Sequence, residues 1–140
     1  MWPGENEVTS AVRARPLYGS SVTGYILSEW NRALGGDQPG IPHWIEHVLP
    51  DKPDKEWFDF FTVQEHEKMR HLLANLLPLS QEMNQSLGNG PYSQKRQMYA
   101  DDSGFKAARK FAEEYSVWTP QELEGRSEKL ASWAIDRWTH

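Results

Sequence analysis

The residues best suited to chemistry lie in one stretch of the sequence, between positions 46 and 84. Glu46 and His47 are adjacent, and the side-chain amides of Asn75 and Asn84 follow. An imidazole can take a proton from water near neutral pH, because its unperturbed pKa is about 6.5. Carboxylate and amide oxygens suit Mg²⁺ or Mn²⁺ better than zinc. A Glu-His pair alone is more typical of a hydrogen-bonded surface pair, so its meaning depends on the surrounding elements.

Two short extended segments and a helix are predicted around these residues. Residues 44–50 are an apolar run that ends at a proline, which predicts a strand carrying the Glu-His pair. Residues 76–79 are a second apolar run, and Asn75 directly precedes it. Residues 80–87 begin with a serine suited to cap a helix, and that helix would carry Asn84. The predicted order is therefore strand, loop, strand, helix.

Helical patterns flank this segment on both sides. Residues 10–34 are predicted to form one or two helices with a break near Pro16. Residues 1–9 contain proline, glycine and charges, and are predicted to be frayed. Further helices are predicted over residues 92–99, 105–115 and 119–138, and over residues 56–73 with a possible break near Thr62, a plausible N-cap followed three positions later by Glu65.

Four segments of the chain resemble a known family in the same order. EHVLP at residues 46–50 resembles the start of an HNH motif, acidic-His-Ile-x-Pro. HLLANLLPL at 71–79 and MNQSLGNGPYSQKR at 83–96 resemble the H-x-x-G-N-L-x-x-L and L-N-x-x-L-S-N-x-x-F-x-x-K-R segments of the DUF1524 branch. The tail at 118–138 resembles its W-x-x-x-x-I-x-x-R ending. Together they resemble the C-terminal nuclease domain of GmrSD-like (DUF262–DUF1524) type IV restriction proteins.

This resemblance implies a fold that is mainly α, with a small ββα-metal (HNH, His-Me finger) motif embedded in helices. One domain is expected over residues 1–140. It would have a helical part at 10–34, a ββα-metal core at about 43–88 and a helical part at 92–138. The chain is expected to be a piece of a longer protein, with a DUF262-type domain on its N-terminal side.

The resemblance also implies roles for the polar residues. His47 would be the general base, while Glu46 and Asn84 would bind Mg²⁺ or Mn²⁺. Asn75 would hold the loop that carries the histidine. Two sequence departures are visible: Ala74 stands where the family usually has glycine, and Glu46 stands where many HNH enzymes have Asp or His.

Other residues are secondary candidates for the site. Lys95 and Arg96 follow the motif and could contact phosphate or the DNA backbone. Asn89 competes with Asn84 as a ligand, although turn formation next to two glycines also explains it. His71 could face the site or cap the preceding helix.

The composition limits the class of function. The absence of cysteine excludes disulfides, thiol nucleophiles and Cys-ligated metals. The net charge of −5 disfavours a stand-alone DNA-binding module, but it disfavours less an enzyme whose metal ion meets the phosphate. The expected function is cleavage of double-stranded DNA in defence against foreign or modified DNA. The protein is expected to be cytoplasmic and not to bind a membrane. The alternatives are a catalytically degenerate HNH domain and a helical module that docks a partner.

Overall fold

The computed structural model describes residues 4–37, 42, 44–80, 83, 88–102 and 104–138. Over these residues the protein is mainly helical with one small antiparallel sheet, which confirms the helical part of the expected fold. The described α-helices are α1 (Glu5–Ala14), α2 (Thr23–Ala33), α3 (Val63–Met69), α4 (Tyr92–Ala100), α5 (Lys106–Glu114) and α6 (Pro120–Trp138), with 3₁₀ turns at Lys55–Asp59 and Leu73–Asn75.

The two short apolar runs form the sheet. Strand β1 (Trp44–His47) pairs antiparallel with β2 (Leu76–Leu79), and the register sets Glu46 opposite Leu77 and His47 opposite Leu76. Every residue of β2 is buried, as expected for an unbroken apolar strand covered on both faces. Helices α2 and α5 pack against it. The sheet is therefore a rigid base for the residues at the end of β1.

The helix that was predicted over residues 80–87, and with it Asn84, lies outside the described residues, apart from Ser80 and Met83. Met83 is partly buried against the core.

The first helix corrects one prediction. Residues 5–9 were expected to be frayed, but α1 begins at Glu5. Two acidic residues in its first turn, Glu5 and Glu7, interact favourably with the positive end of the helix dipole. Val8 and Val12 lie one turn apart and are buried where α1 packs against α6. The polar composition of this segment concealed the narrow apolar stripe that makes it a helix.

Most other helix boundaries agree with the sequence pattern. The break near Pro16 separates α1 from α2, and Thr62 caps α3 in a capping box with Glu65. The helical region predicted over residues 56–73 does break near Thr62, and it consists of a 3₁₀ turn, then α3, then a second 3₁₀ turn. None of the described helices is long and apolar enough to cross a membrane.

Helix α6 packs into the core and forms a hydrogen bond to the first residue of strand β2. Its buried positions recur at helical spacing and include Leu123, Leu130 and Ala134. Arg126 is also buried there, and its Nη1 donates to the carbonyl oxygens of Ala74 (2.6 Å) and Leu76 (2.9 Å). Burial lowers the pKa of Arg126 to about 10, so the guanidinium stays charged at neutral pH. A charged donor thus satisfies two carbonyls where β2 begins.

Candidate active site

The last two side chains of strand β1, those of Glu46 and His47, contact different parts of the protein. Glu46 is buried and contacts helix α4, whereas His47 is half-buried and contacts the segment before β2. Successive residues of a strand point to opposite faces, so adjacency in sequence gives the carboxylate and the imidazole separate environments. Both side chains nevertheless line one polar cleft beyond the strand end.

Glu46 is held by two donors from one face of α4. Its Oε2 accepts hydrogen bonds from Lys95 Nζ (2.9 Å) and Tyr99 OH (2.7 Å). Lys95 Nζ also donates to the carbonyl oxygen of His47 at 2.9 Å. Lys95 and Tyr99 are four residues apart, the spacing that places side chains together on a helix. Lys95 therefore balances the negative charge of the Glu46 carboxylate, and its bond to the carbonyl oxygen holds the backbone of His47.

Burial dominates the protonation of these partners. It lowers the pKa of Lys95, while the Glu46 carboxylate opposes that shift. Burial, and then the Glu46 charge, raises the pKa of Tyr99 well above its usual range. Tyr99 is therefore a neutral hydrogen-bond donor to Glu46, which is 7% exposed.

His47 contacts a second histidine and a tyrosine. Its Nε2 lies 2.9 Å from Nδ1 of His71, a hydrogen-bonding distance. The Tyr18 ring stacks on His71 with 5.3 Å between centroids and 13° between planes, and its centroid is 4.1 Å from that of His47. Asp51 Oδ1 lies 3.6 Å from His71 Nε2 and accepts from Arg70 Nε at 2.9 Å. His71, left open by the sequence, thus faces the candidate base.

The electrostatic environment keeps His47 neutral. Burial first, and then the proximity of His71, lowers the pKa of His47 to about 4. Burial, followed by Arg70, also lowers the pKa of His71. A histidine with this pKa is unprotonated at neutral pH, and an unprotonated imidazole can accept a proton from water.

Asn75 fastens the loop that follows His47. Its Oδ1 accepts from the Leu49 amide (2.8 Å) and from Trp118 Nε1 (3.1 Å). Its Nδ2 donates to the carbonyl oxygens of Leu49 (2.9 Å) and Arg70 (2.8 Å). One residue further along the loop, His66 Nε2 donates to the Pro50 carbonyl at 2.9 Å. This geometry is that of a side chain that holds the loop, not of a metal ligand.

The cleft beside Glu46 and His47 has a volume of about 360 Å³ and a polar lining. Asn89 lies on it, so the residue first weighed as a turn former has access to the site. Lys95 also reaches it, whereas Arg96 does not and donates from Nε to the Ala112 carbonyl at 2.9 Å. The complete lining is Glu46, His47, Pro50, Asp51, Lys52, Gly88, Asn89 and Lys95.

The donor set of the cleft fits a hard divalent cation with few protein ligands. Three of its lining residues, Glu46, Asp51 and Asn89, have side chains that carry oxygen atoms. Within the described ranges, no three His, Asp or Glu side chains converge as a metal-binding group. Mg²⁺ commonly binds through one or two carboxylates and completes its shell with water and substrate phosphate. An ion here would be bound in that sparse manner, with Glu46 as the buried carboxylate.

Three members of this arrangement were not predicted from the sequence. Tyr99 follows Lys95 by four residues, and this spacing was the signal that could have indicated a shared target. Tyr18 and Asp51 carry no comparable signal, because they meet His71 only through the folding of distant segments.

Comparison with known proteins assigns the family. The family model described as GmrSD restriction endonucleases, C-terminal domain, matches residues 2–133. The chain belongs to this family. The expected resemblance to the C-terminal domain of GmrSD-like restriction proteins is thereby confirmed. No curated protein matches this GmrSD C-terminal domain, and no solved structure matches it. Its function is therefore related to that of restriction endonucleases.

Proposed function

We propose that this domain hydrolyses DNA phosphodiesters at the Glu46–His47 cleft, as a metal-dependent HNH endonuclease. The observation that carries the proposal is that an imidazole hydrogen-bonded to His71 and a buried carboxylate line one polar cleft, and burial lowers the pKa of that imidazole to about 4. Membership in a restriction endonuclease family supports the same reaction class. The setting would be a larger protein with an N-terminal DUF262-type domain that acts on foreign or modified double-stranded DNA.

His47 would act as the general base. It would take a proton from a water molecule in the cleft, and the water oxygen would attack phosphorus as it loses that proton. The bond from phosphorus to the leaving sugar oxygen would break, and that oxygen would receive a proton from solvent. The loop bonds of Asn75 would keep the imidazole in place during these steps.

Glu46 and Asn84 would hold Mg²⁺ or Mn²⁺. A bound cation supplies positive charge to the phosphoryl and leaving oxygens. It also compensates locally for the net charge of −5, which would otherwise repel DNA. Lys95 would balance the Glu46 charge before the ion binds, because its ammonium already contacts Oε2.

A second candidate, a domain that binds DNA without cutting it, is favoured by one observation. Lys95 already forms a buried ion pair with Glu46, so the carboxylate has a positive partner without any metal. In that case the site would be catalytically degenerate.

Incubation of supercoiled plasmid with the purified chain separates these candidates. We expect nicked or linear product with Mg²⁺ or Mn²⁺, and none with EDTA or with zinc alone. A mock purification from the same host, without this chain, controls for contaminating nucleases. Plasmid that stays supercoiled in Mg²⁺ and Mn²⁺ but is retarded in a gel by the protein would support the non-cutting alternative.

A further inference from the structure

We infer that His71 is a positioning residue that fixes the tautomer of His47, so that Nδ1 of His47 is the nitrogen that accepts the proton from water. This inference rests on the proposed function. It adds a defined task for His71, Asp51 and Tyr18, which lie on three separate segments of the chain.

The chain of contacts determines which nitrogen carries each proton. A neutral imidazole has one N–H donor and one lone pair, and a carboxylate only accepts. Asp51 Oδ1 lies 3.6 Å from His71 Nε2, and its negative charge favours the tautomer with hydrogen on that nitrogen. Nδ1 of His71 is then an acceptor. His47 must donate to it from Nε2 across the 2.9 Å contact.

The consequence for His47 is a lone pair on Nδ1. Because the ring hydrogen is committed to Nε2, Nδ1 is left without one and can act as the base. Within the described part of the chain, no protein hydrogen bond to Nδ1 competes with water for this lone pair.

Both partners of His71 are themselves held in place. Arg70 Nε donates to Asp51 Oδ1 at 2.9 Å, so the carboxylate is fixed next to the ring. On the other side, the amides of Leu17 and Tyr18 donate to the His71 carbonyl oxygen at 2.9 and 3.2 Å. These backbone bonds place the Tyr18 ring in its stack on His71 and against His47. The two imidazoles are therefore clamped between a carboxylate and an aromatic ring.

The hydrogen bond can be tested without any activity, by ¹⁵N NMR of the full metal-free chain near neutral pH. We expect the shared hydrogen on His47 Nε2, an unprotonated His47 Nδ1, and a scalar coupling across the bond to His71 Nδ1. If the hydrogen is on His71 Nδ1, or if the coupling is absent, the inference is overturned. In the first case His47 would carry its own hydrogen on Nδ1 and could not serve as the base there.

A matched pair of variants tests the catalytic consequence. His71→Asn places an amide oxygen near the position of Nδ1 and keeps an acceptor, whereas His71→Leu removes it. We expect His71→Leu to lower kcat about 10- to 100-fold, the usual scale for partners that orient a functional histidine, with little change in KM. His71→Asn should recover most of kcat. Melting temperatures of both variants show whether folding is intact.

The outcomes separate this inference from the proposed function. Equal loss in His71→Asn and His71→Leu, or no loss in either, overturns the positioning role. A wild-type protein that cuts no DNA overturns the proposed function and with it the catalytic consequence. The hydrogen-bond assignment is then still decided by the NMR measurement alone.

Discussion

At the scale of single residues, the Asn75 side chain forms hydrogen bonds to Leu49, to Arg70 and to Trp118, which lies just before helix α6. Asn75→Ala would leave the Leu49 amide and the Trp118 indole N–H without their acceptor. An unpaired buried group costs about 1–3 kcal/mol, so this variant should unfold at clearly lower urea concentration. Cleavage should fall as well, and extra metal should not restore it.

Asn89→Ala is the matched control for that change. Asn89 borders the cleft and lies in a glycine-rich turn, so its loss should leave stability near that of the wild type. Identical urea midpoints for Asn75→Ala and the wild type would show that the loop does not depend on these hydrogen bonds.

Variants of Asn75, Asn84 and Asn89 together test which asparagine binds the metal ion. Asn84 is proposed to bind the ion directly, so Asn84→Ala should lose most cleavage and regain part of it at high Mn²⁺. Loss of one oxygen ligand weakens metal binding while the base remains. Cleavage rates over an Mn²⁺ titration provide the measurement.

The reverse pattern would move the ligand. If Asn89→Ala is inactive and rescued by Mn²⁺ while Asn84→Ala remains active, Asn89 is the ligand that completes the site. Its position on the cleft makes this a concrete alternative.

Site residues that belong to one short sequence motif could be predicted, whereas site residues that meet only in the folded chain could not. The family resemblance implied that Asn75 holds the loop after His47, and the hydrogen bonds of Asn75 to Leu49 have the geometry that such a role requires. The contact of His71 with His47 bridges 24 positions, and no local pattern encodes it. Asp51 lies in a polar stretch of the sequence and Tyr18 within the predicted helical region 10–34, and only the tertiary structure places both next to His71.

At the scale of elements, the contact between α4 and β1 depends on a buried ion pair. Lys95 and Glu46 are almost fully buried, with side-chain exposures of 3% and 9%. Among the described residues, Lys95→Met would leave the Glu46 carboxylate with the Tyr99 hydroxyl as its one hydrogen-bond donor. Breaking one partner of a buried pair typically costs about 3–5 kcal/mol, so the melting temperature should fall strongly.

Gln97→Met is the control, because Gln97 is exposed on the same helix and should tolerate the same new side chain. If Glu46 also binds the metal, Mg²⁺ should raise the melting temperature of Lys95→Met more than that of the wild type, because a cation again compensates the carboxylate. Equal melting temperatures for Lys95→Met and Gln97→Met would contradict the structural importance of the pair.

Elements were predictable where the apolar spacing is strong. Helices α4 and α6 and both strands lie close to their predicted positions because their apolar residues follow helical or extended patterns. The start of helix α1, at residues 5–9, was not predicted because the buried face of this charged helix consists of only two valines, Val8 and Val12. The break expected near Thr62 within residues 56–73 is confirmed, because the Thr62–Glu65 capping box starts a new helix there.

At the scale of the whole molecule, stability should not depend on a metal ion. The core is formed by buried apolar side chains from the sheet and helices, including Leu27, Leu76, Leu79, Trp118 and Leu130. The proposed ligands are one carboxylate and one amide, too few to hold the fold together. EDTA should therefore abolish cleavage while the circular dichroism spectrum and melting temperature stay nearly unchanged.

A chain that unfolds in EDTA would contradict this separation of core and site, because the metal would then have a structural role.

The family was predictable from the sequence because four ordered segments carry it, and the matched region spans nearly the whole chain. The polar network around the cleft was not, since its members come from α4, β1 and three loops.

His47 is proposed as the general base of a DNA-cleaving site, and a single-turnover comparison of wild type with His47→Ala tests this role. Both proteins should be assayed on the same plasmid at saturating Mg²⁺, with melting temperatures measured in parallel. We expect the cleavage rate of His47→Ala to fall by about 10²-fold or more, the usual scale for removal of a positioned general base, with the fold retained. A folded His47→Ala protein that cuts DNA at the wild-type rate would contradict the account.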